Sequence, residues 1–281
     1  MKILVTGVKG QLGYDLCRIL SQREIEHRGV DIDDFDITDK EAVERYITDY
    51  APDAVIHCSA FTAVDRAEDD AELCRRVNAE GTANIADVAA RIGAKMLYIS
   101  TDYVFCGDGE EFYTPDSPTG PLSVYGRTKL EGEIAVRKAT DRHFIVRISW
   151  VFGVNGNNFV KTMLRLSETR SEINVVADQI GSPTYTYDLS KLLCDMIVTE
   201  KYGTYHATNE GLCSWAELAE ETMRLSGRTM QVHPIPTSEY PTKAVRPLNS
   251  RMSKDGLTAA GFEKLPHWKD ALARYLKEIG V

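Results

Sequence analysis

The chain has 281 residues, 43% hydrophobic and 27% charged, with 42 acidic against 33 basic side chains and a formal charge of −9. That is the composition of a globular protein with a substantial core, and the acidic excess argues against nucleic acid or an anionic membrane as main partner, because such binders carry a basic excess. No apolar run reaches the ~18 residues of a membrane span, MKILVTG is too short for a secretion signal, and six scattered cysteines without a C-x-x-C point to reduced structural thiols and a cytoplasmic protein.

In chain order, residues 1–6 read as a buried strand and residues 11–23 as a helix. Between them, VTGVKGQLG places Gly7, Gly10 and Gly13 in a G-x-x-G-x-x-G loop. Glycines there permit a tight turn, let the backbone approach a pyrophosphate and allow close helix–strand packing. The helix N-terminus then favours the anion. An ordinary glycine-rich turn is the plain alternative, and the strand–loop–helix context weighs against it. A second strand ends near Asp31, where a carboxylate accepts from an adenosine ribose and repels a 2′-phosphate, which favours NADH. Asp33 and Asp34 in DIDDFDITD compete for that role, and a solvated acidic loop is the plain reading of the whole stretch. Asp36 with Ile37 is placed to line an adenine.

KEAVERYITDY follows as a helix, DAVIHCS as a strand, residues 71–93 as a long helical region, KMLYIST as a strand and RHFIVRISW as another. This βαβ rhythm implies an α/β fold, a Rossmann-type doubly wound parallel sheet covered on both faces with right-handed crossovers. After Trp150 the rhythm changes to short mixed elements that hold most of the prolines. The expected division is a dinucleotide-binding domain over 1–150 and, over 151–281, mainly a smaller C-terminal substrate-binding lobe, with some segments returning to the sheet.

SVYGRTKLEGE puts Tyr125 four residues ahead of Lys129. Thirteen Tyr in 281 residues make roughly 0.6 Tyr-x-x-x-Lys pairs expected by chance. The chain holds two, the other being Tyr187 with Lys191 in YDLSK, so spacing alone decides nothing. A helix capped by Ser123 puts Tyr125 and Lys129 on one face. A phenol can protonate a carbonyl oxygen as hydride arrives, and an adjacent ammonium is expected to pull its pKa down from ~10. YISTDYVF ends a strand at Ser100 or Thr101, at the carboxyl edge where open α/β sheets bind ligands. Tyr187 and Lys191 have no such strand end upstream, so the first pair is the expected acid and cation. Trp150 suits a stacking wall for sugar or base as well as it suits a core. Arg246 and Arg251 are diphosphate candidates, since guanidinium forks match phosphate oxygens, and surface arginines in a loop are the equal alternative. Asn157 and Asn158 stay open between shaping a loop and binding the ligand.

TGVKGQLG, NAEGTANIA, STDYVF and YGRTKLEGE resemble, in order and spacing, the extended short-chain dehydrogenase/reductases. AFTAVDRAE, STDYVFCG, RISWVFG, NNFVKTML, DQIGSPTYT and RPLNSRM narrow the resemblance, over nearly the whole chain, to the dTDP-4-dehydrorhamnose reductase family. The resemblance implies NADH or NADPH as cofactor and a nucleotide sugar as substrate, its 4-keto group being reduced for cell-surface polysaccharide. It implies Gly10, Gln11 and Leu12 in the dinucleotide loop, and Asp31, Asp36 and Ile37 at the adenosine half. Ala60, Phe61, Thr62 and Ile99 would flank the cofactor. Thr101, Tyr125 and Lys129 would form the catalytic set, with Asp102 and Trp150 on the sugar nucleotide. Two positions depart from the family. Phe61 stands where a histidine is usual. Some members bind Mg²⁺ between subunits through acids, and here only Asp15 matches one, with Tyr187 or Asp188 in the second place and Glu278 near the end. No metal is expected, and the chain is expected as a monomer or homodimer. The rival readings are a sugar-nucleotide dehydratase or epimerase of the same superfamily, and a non-catalytic subunit resembling the regulatory subunit of methionine adenosyltransferase.

Overall fold

Six parallel strands make the central sheet of the computed structural model, which describes residues 1–281. They are β1 (Ile3–Thr6), β2 (His27–Val30), β3 (Ala54–His57), β4 (Lys95–Thr101), β5 (His143–Ile148) and β6 (Gly203–His206). Their order across the sheet is β6-β5-β4-β3-β1-β2, and every pairing is parallel. ILVT and AVIH are buried at every position, as strands covered on both faces must be. The chain leaves β1 toward β2 and returns on the other side to β3. Strand order therefore reverses between β1 and β3, and open α/β sheets bind ligands in the crevice beyond such a reversal.

Helices α1 (Gln11–Gln22), α2 (Lys40–Tyr50), α3 (Thr82–Arg91) and α4 (Val124–Ala139) follow the strands. Each start has a local cause. Asp39 caps α2 by accepting from the Glu41 and Ala42 N–H groups. Ser123 caps α4 by accepting from the Gly126 N–H at 3.1 Å. The long helical region expected over 71–93 is interrupted: a π-helical segment, Arg76–Gly81, joins the Ala71–Arg75 helix to α3. In the second half run α5 (Phe159–Leu166), α6 (Thr186–Ile197), α7 (Trp215–Leu225) and α8 (Trp268–Glu278). Ser214 and Glu217 close a reciprocal capping box at the head of α7.

Two cores sandwich the sheet. On one face Leu16 and Leu20 of α1 meet Leu189 and Leu193 of α6 over Ile3, Val5 and Val146. On the other, Val43, Ile47, Ile85 and Val136 pack over Leu4, Val55 and Met96. A third core joins α5, α7 and α8 through Val160, Met163, Leu218, Leu272 and Tyr275. Within residues 151–281, then, α6 and β6 belong to the sheet layer, while α5, α7 and α8 build the second lobe.

At Gly13 the turn from β1 into α1 leaves no room for a side chain. A Cβ on Gly13 would lie 2.3 Å from the Gly7 carbonyl oxygen, whereas one on Gly10 would lie 3.2 Å from it. Gly13→Ala is expected to lower stability by about 1–3 kcal/mol, as overpacking does. Gly10→Ala should cost clearly less, and urea midpoints of the two variants check the order.

Candidate active site

A cleft of about 830 Å³ opens at the carboxyl ends of β1, β3, β4 and β5. The β1–α1 loop forms one end of it. Gly7 has φ +74°, and a Cβ there would meet the Ser59 backbone nitrogen at 2.7 Å. Helix α1 begins at Gly10 with no side-chain cap and no acid in its first turn, so its N-terminal N–H groups stay available to an anion. Gly7, Gly10, Gln11, Leu12 and Gly13 all line the cleft. The Asn158 amide donates to Gln11 Oε1 and to the Tyr275 hydroxyl, both at 3.0 Å, and Asn155 donates to the Lys9 carbonyl at 2.7 Å. The second lobe thus holds the loop from outside. Asn158 also caps α5 through the Lys161 N–H, while Asn157 lines the cleft.

Of the three rival carboxylates, only Asp31 borders the cleft. It accepts from the Lys9 and Ile32 N–H groups, each at 2.9 Å, which fixes it beside the glycine loop. Asp33 pairs outward with the Lys9 ammonium, and Asp34 accepts from the Asp31 N–H. Asp36 and Ile37 line the same end. Uncapped helix N–H groups, a glycine-rich turn and a carboxylate at the next strand end together fit a dinucleotide.

Ala60, Phe61 and Thr62 form the wall beyond β3. Their conformation depends on Asn78, a buried residue of the π-helical segment. Its side chain accepts from the Phe61 N–H at 2.7 Å and donates to the Phe61 carbonyl at 3.1 Å and the Thr128 hydroxyl at 3.2 Å. The Phe61 ring instead joins Ala67, Cys74 and Val124 in a small apolar cluster beside Tyr125.

Tyr125 and Lys129 face the centre of the cleft with Thr101 and Ile99. Lys129 is buried, its ammonium donates to the Ile99 carbonyl at 2.7 Å, and it lies 4.1 Å from the centre of the Tyr98 ring. Burial pushes its pKa down to about 7, against the opposing charge of Glu133. Loss of solvent pushes the Tyr125 phenol up, and the Thr101 hydroxyl acts in the opposite direction. The expectation that Lys129 lowers the Tyr125 pKa is therefore corrected: the phenol is raised. Desolvation dominates, and the ammonium is engaged by the Ile99 carbonyl instead. Tyr125 stays protonated through neutral pH, as an acid must.

The Thr101 hydroxyl donates to Asp102 at 2.9 Å. The second Asp102 oxygen accepts from Ser250 of the second lobe, and burial pushes the carboxyl up to about 6 despite both bonds. Trp150 has φ +50°, a strained backbone for a bulky residue. Its ring stacks on Trp215 at 3.9 Å, and both rings line the cleft. Arg246 also lines it, donating to Asp65 at 2.6 Å and keeping a buried Nε without a partner. Arg251 lies outside the cleft lining and donates to Asn249 at 3.0 Å, so the two candidate arginines part company. Tyr187 and Lys191 also lie outside it, the ammonium packing 4.2 Å over the ring.

Over its whole length, residues 1–281, the chain matches the family model described as RmlD substrate binding domain. It belongs to that family. It is 42% identical to the spore coat polysaccharide biosynthesis protein SpsK of Bacillus subtilis, over 99% of this chain and 97% of that one. The crystal structure of a dTDP-4-dehydrorhamnose reductase from Clostridium acetobutylicum superposes with a TM-score of 0.98 at 40% identity, covering 100% of both chains. That of dTDP-4-dehydrorhamnose reductase from Bacillus anthracis, in complex with NADP, gives 0.96 at 42% identity over 99% of each.

In this member, the acids of the metal-binding pattern are engaged by arginines. Asp15 accepts from Arg18 at 2.7 Å and from Thr186, Arg18 also donates to Glu278, and Asp188 takes a two-pronged pair from Arg274. Positive charge is already supplied there, and the arrangement does not fit a cation site. Sequence reasoning missed Asn78, Trp215 and Ser250. Asn78 opens the NAEGTANIA motif and Ser250 lies in RPLNSRM, so their segments were marked though their contacts were not, while Trp215 directly follows the capping serine of SWAE.

The Lys129 ammonium is charged below about pH 7 and neutral above it. Affinity of the free chain for NADH is expected to fall toward about tenfold per pH unit above that point if the charge contacts the cofactor. Fluorescence titrations from pH 6 to 9 should show the fall, and Lys129→Met should flatten it.

Proposed function

We propose that the chain reduces the 4-keto group of dTDP-4-dehydro-β-L-rhamnose to give dTDP-L-rhamnose, using NADH or NADPH, in nucleotide-sugar synthesis for cell-surface polysaccharide. The observation that carries this reading is the convergence, in one cleft, of a dinucleotide loop and a protonated Tyr125 beside Thr101. Family membership and full-length similarity to dTDP-4-dehydrorhamnose reductases supply the substrate.

Bound nicotinamide cofactor supplies the hydride. The chain's residues do the rest. Gly7 to Gly13 and the head of α1 hold the diphosphate, and Asp31 takes the adenosine ribose. Lys129, buried on the Ile99 carbonyl, orients the nicotinamide half. Tyr125 passes its proton to the C4 carbonyl oxygen as the carbon is reduced, and Thr101 donates to the same oxygen once its hydroxyl turns from Asp102. A hydroxyl donor aimed where negative charge develops stabilises the transition state more than the ground state. The Trp150–Trp215 wall bounds the sugar-nucleotide end and Arg246 supplies positive charge there. We read the enzyme as cytoplasmic, in keeping with six free cysteines; no helix is long and apolar enough to cross a membrane.

Tyr125→Phe is expected to lower the rate of NADH or NADPH oxidation with the dTDP-4-keto sugar by at least about 10²-fold, the usual span of a lost general acid, while cofactor affinity stays within about twofold. Absorbance at the cofactor band follows the first and equilibrium titration the second. Retained turnover removes Tyr125 as the acid, and no oxidation by the unaltered chain with either cofactor removes the reaction itself.

A further inference from the structure

A fully buried carboxylate lies one turn beyond Lys129. Glu133 accepts from the Ser100 hydroxyl at 2.6 Å and from Arg147 Nε and Nη2, each at 2.8 Å. Arg137 adds a fourth donor at 2.9 Å. Arg147 is itself buried in β5, lies 4.9 Å from the Phe105 ring and donates to the Pro115 carbonyl at 3.1 Å. Helix α4 is therefore tied to β4 at two successive residues: Lys129 on the Ile99 carbonyl and Glu133 on the Ser100 hydroxyl. Thr101 follows immediately in the chain.

The charges around Lys129 single out the same residue. The groups that face it are Glu133 on α4, His57 at the end of β3, Cys58 beyond it, Cys74 on the Ala71–Arg75 helix, and Tyr98 and Tyr125. Burial raises the Cys58 and Cys74 thiols and both phenols, and it lowers His57 to about 3, so all five are neutral at neutral pH. Burial also works to raise Glu133, but Arg147, Ser100 and Arg137 outweigh it and hold the carboxyl below its usual range. Glu133 is the one ionised group of the set.

We propose that Glu133, with Arg147 as its buried counterion, is a positioning residue for the reduction: it sets the register of α4 against the catalytic end of β4 and supplies the negative charge that Lys129 faces. The proposal rests on the reductase reading for its effect on turnover, but its effect on Lys129 does not need that reading.

The test compares the unaltered chain with Ser100→Ala, Glu133→Gln and the double variant Glu133→Gln/Arg147→Met. The double variant is included because Glu133→Gln alone leaves Arg147 buried without a counterion. NADH affinity is titrated by fluorescence from pH 5 to 9, and turnover is measured with the dTDP-4-keto sugar. In a Glu133→Gln chain that folds by circular dichroism, the limb near pH 7 should move at least half a unit toward acid, about a threefold change on the limb; the double variant removes one charge of each sign, so its limb should move less. Ser100→Ala keeps the charge, so its limb should stay in place while kcat falls by about tenfold, which is ~1.4 kcal/mol of barrier. An unmoved limb in a folded Glu133→Gln chain overturns the proposal, as does unchanged kcat in Ser100→Ala. A limb that moves while even the unaltered chain fails to turn over leaves the Lys129 assignment standing and removes the reductase reading.

Discussion

The Lys129 ammonium sits on the Ile99 carbonyl, out of water, at the carboxyl end of β4. A buried charge needs acceptors, and here the main one is the backbone of the strand that ends in Thr101. That bond brings α4 down onto β4, and the glycines of α4 permit the approach. A Cβ on Gly126 would lie 2.2 Å from the Tyr103 carbonyl, and one on Gly132 would lie 2.3 Å from the Tyr98 hydroxyl. With the helix fixed so closely, Tyr125 one turn earlier has little choice but to face Thr101 across the cleft. The geometry of the proposed catalytic set follows from how one lysine is solvated.

The two halves of the chain are joined through the same region. Asp102 receives Ser250, Asp65 receives Arg246 and the Ala244 N–H, and Gln11 receives Asn158. Each contact ties a cleft element of the sheet layer to the second lobe. The strained Trp150 backbone turns its ring onto Trp215, closing the cleft with an aromatic wall. Strain of this kind costs on the order of 1–3 kcal/mol and persists where the surroundings over-determine it. Here Gly181 supplies the room, since a Cβ on it would lie 3.1 Å from the Trp150 ring.

Much of this was legible in contiguous patterns. The glycine loop, the capping Ser123, the strand ending at Thr101 and the βαβ alternation each depend on a few neighbouring residues, and each appears at or within a few residues of its expected place. What was hidden depends on distance along the chain. Asp102 and Ser250 are 148 residues apart, so no local pattern reports their bond. Asn78 sits in a π-helical segment inside what reads as ordinary helix. Arg246 and Arg251 share one loop and one chemistry, and only the path of the chain sends the first into the cleft. The Tyr125 pKa was misjudged because adjacency in sequence says nothing about solvent. Burial sets its direction, and the Lys129 ammonium is engaged by the Ile99 carbonyl.

The central claim is that hydride and proton are delivered to the two ends of one C4 carbonyl within this cleft. Reduction with nicotinamide cofactor deuterated at C4 of its ring, followed by NMR of the sugar nucleotide, tests it most directly. The account predicts deuterium at C4 of a dTDP-6-deoxyhexose, with one configuration at that carbon. Deuterium at another sugar carbon, or product without deuterium from fully labelled cofactor, would contradict it.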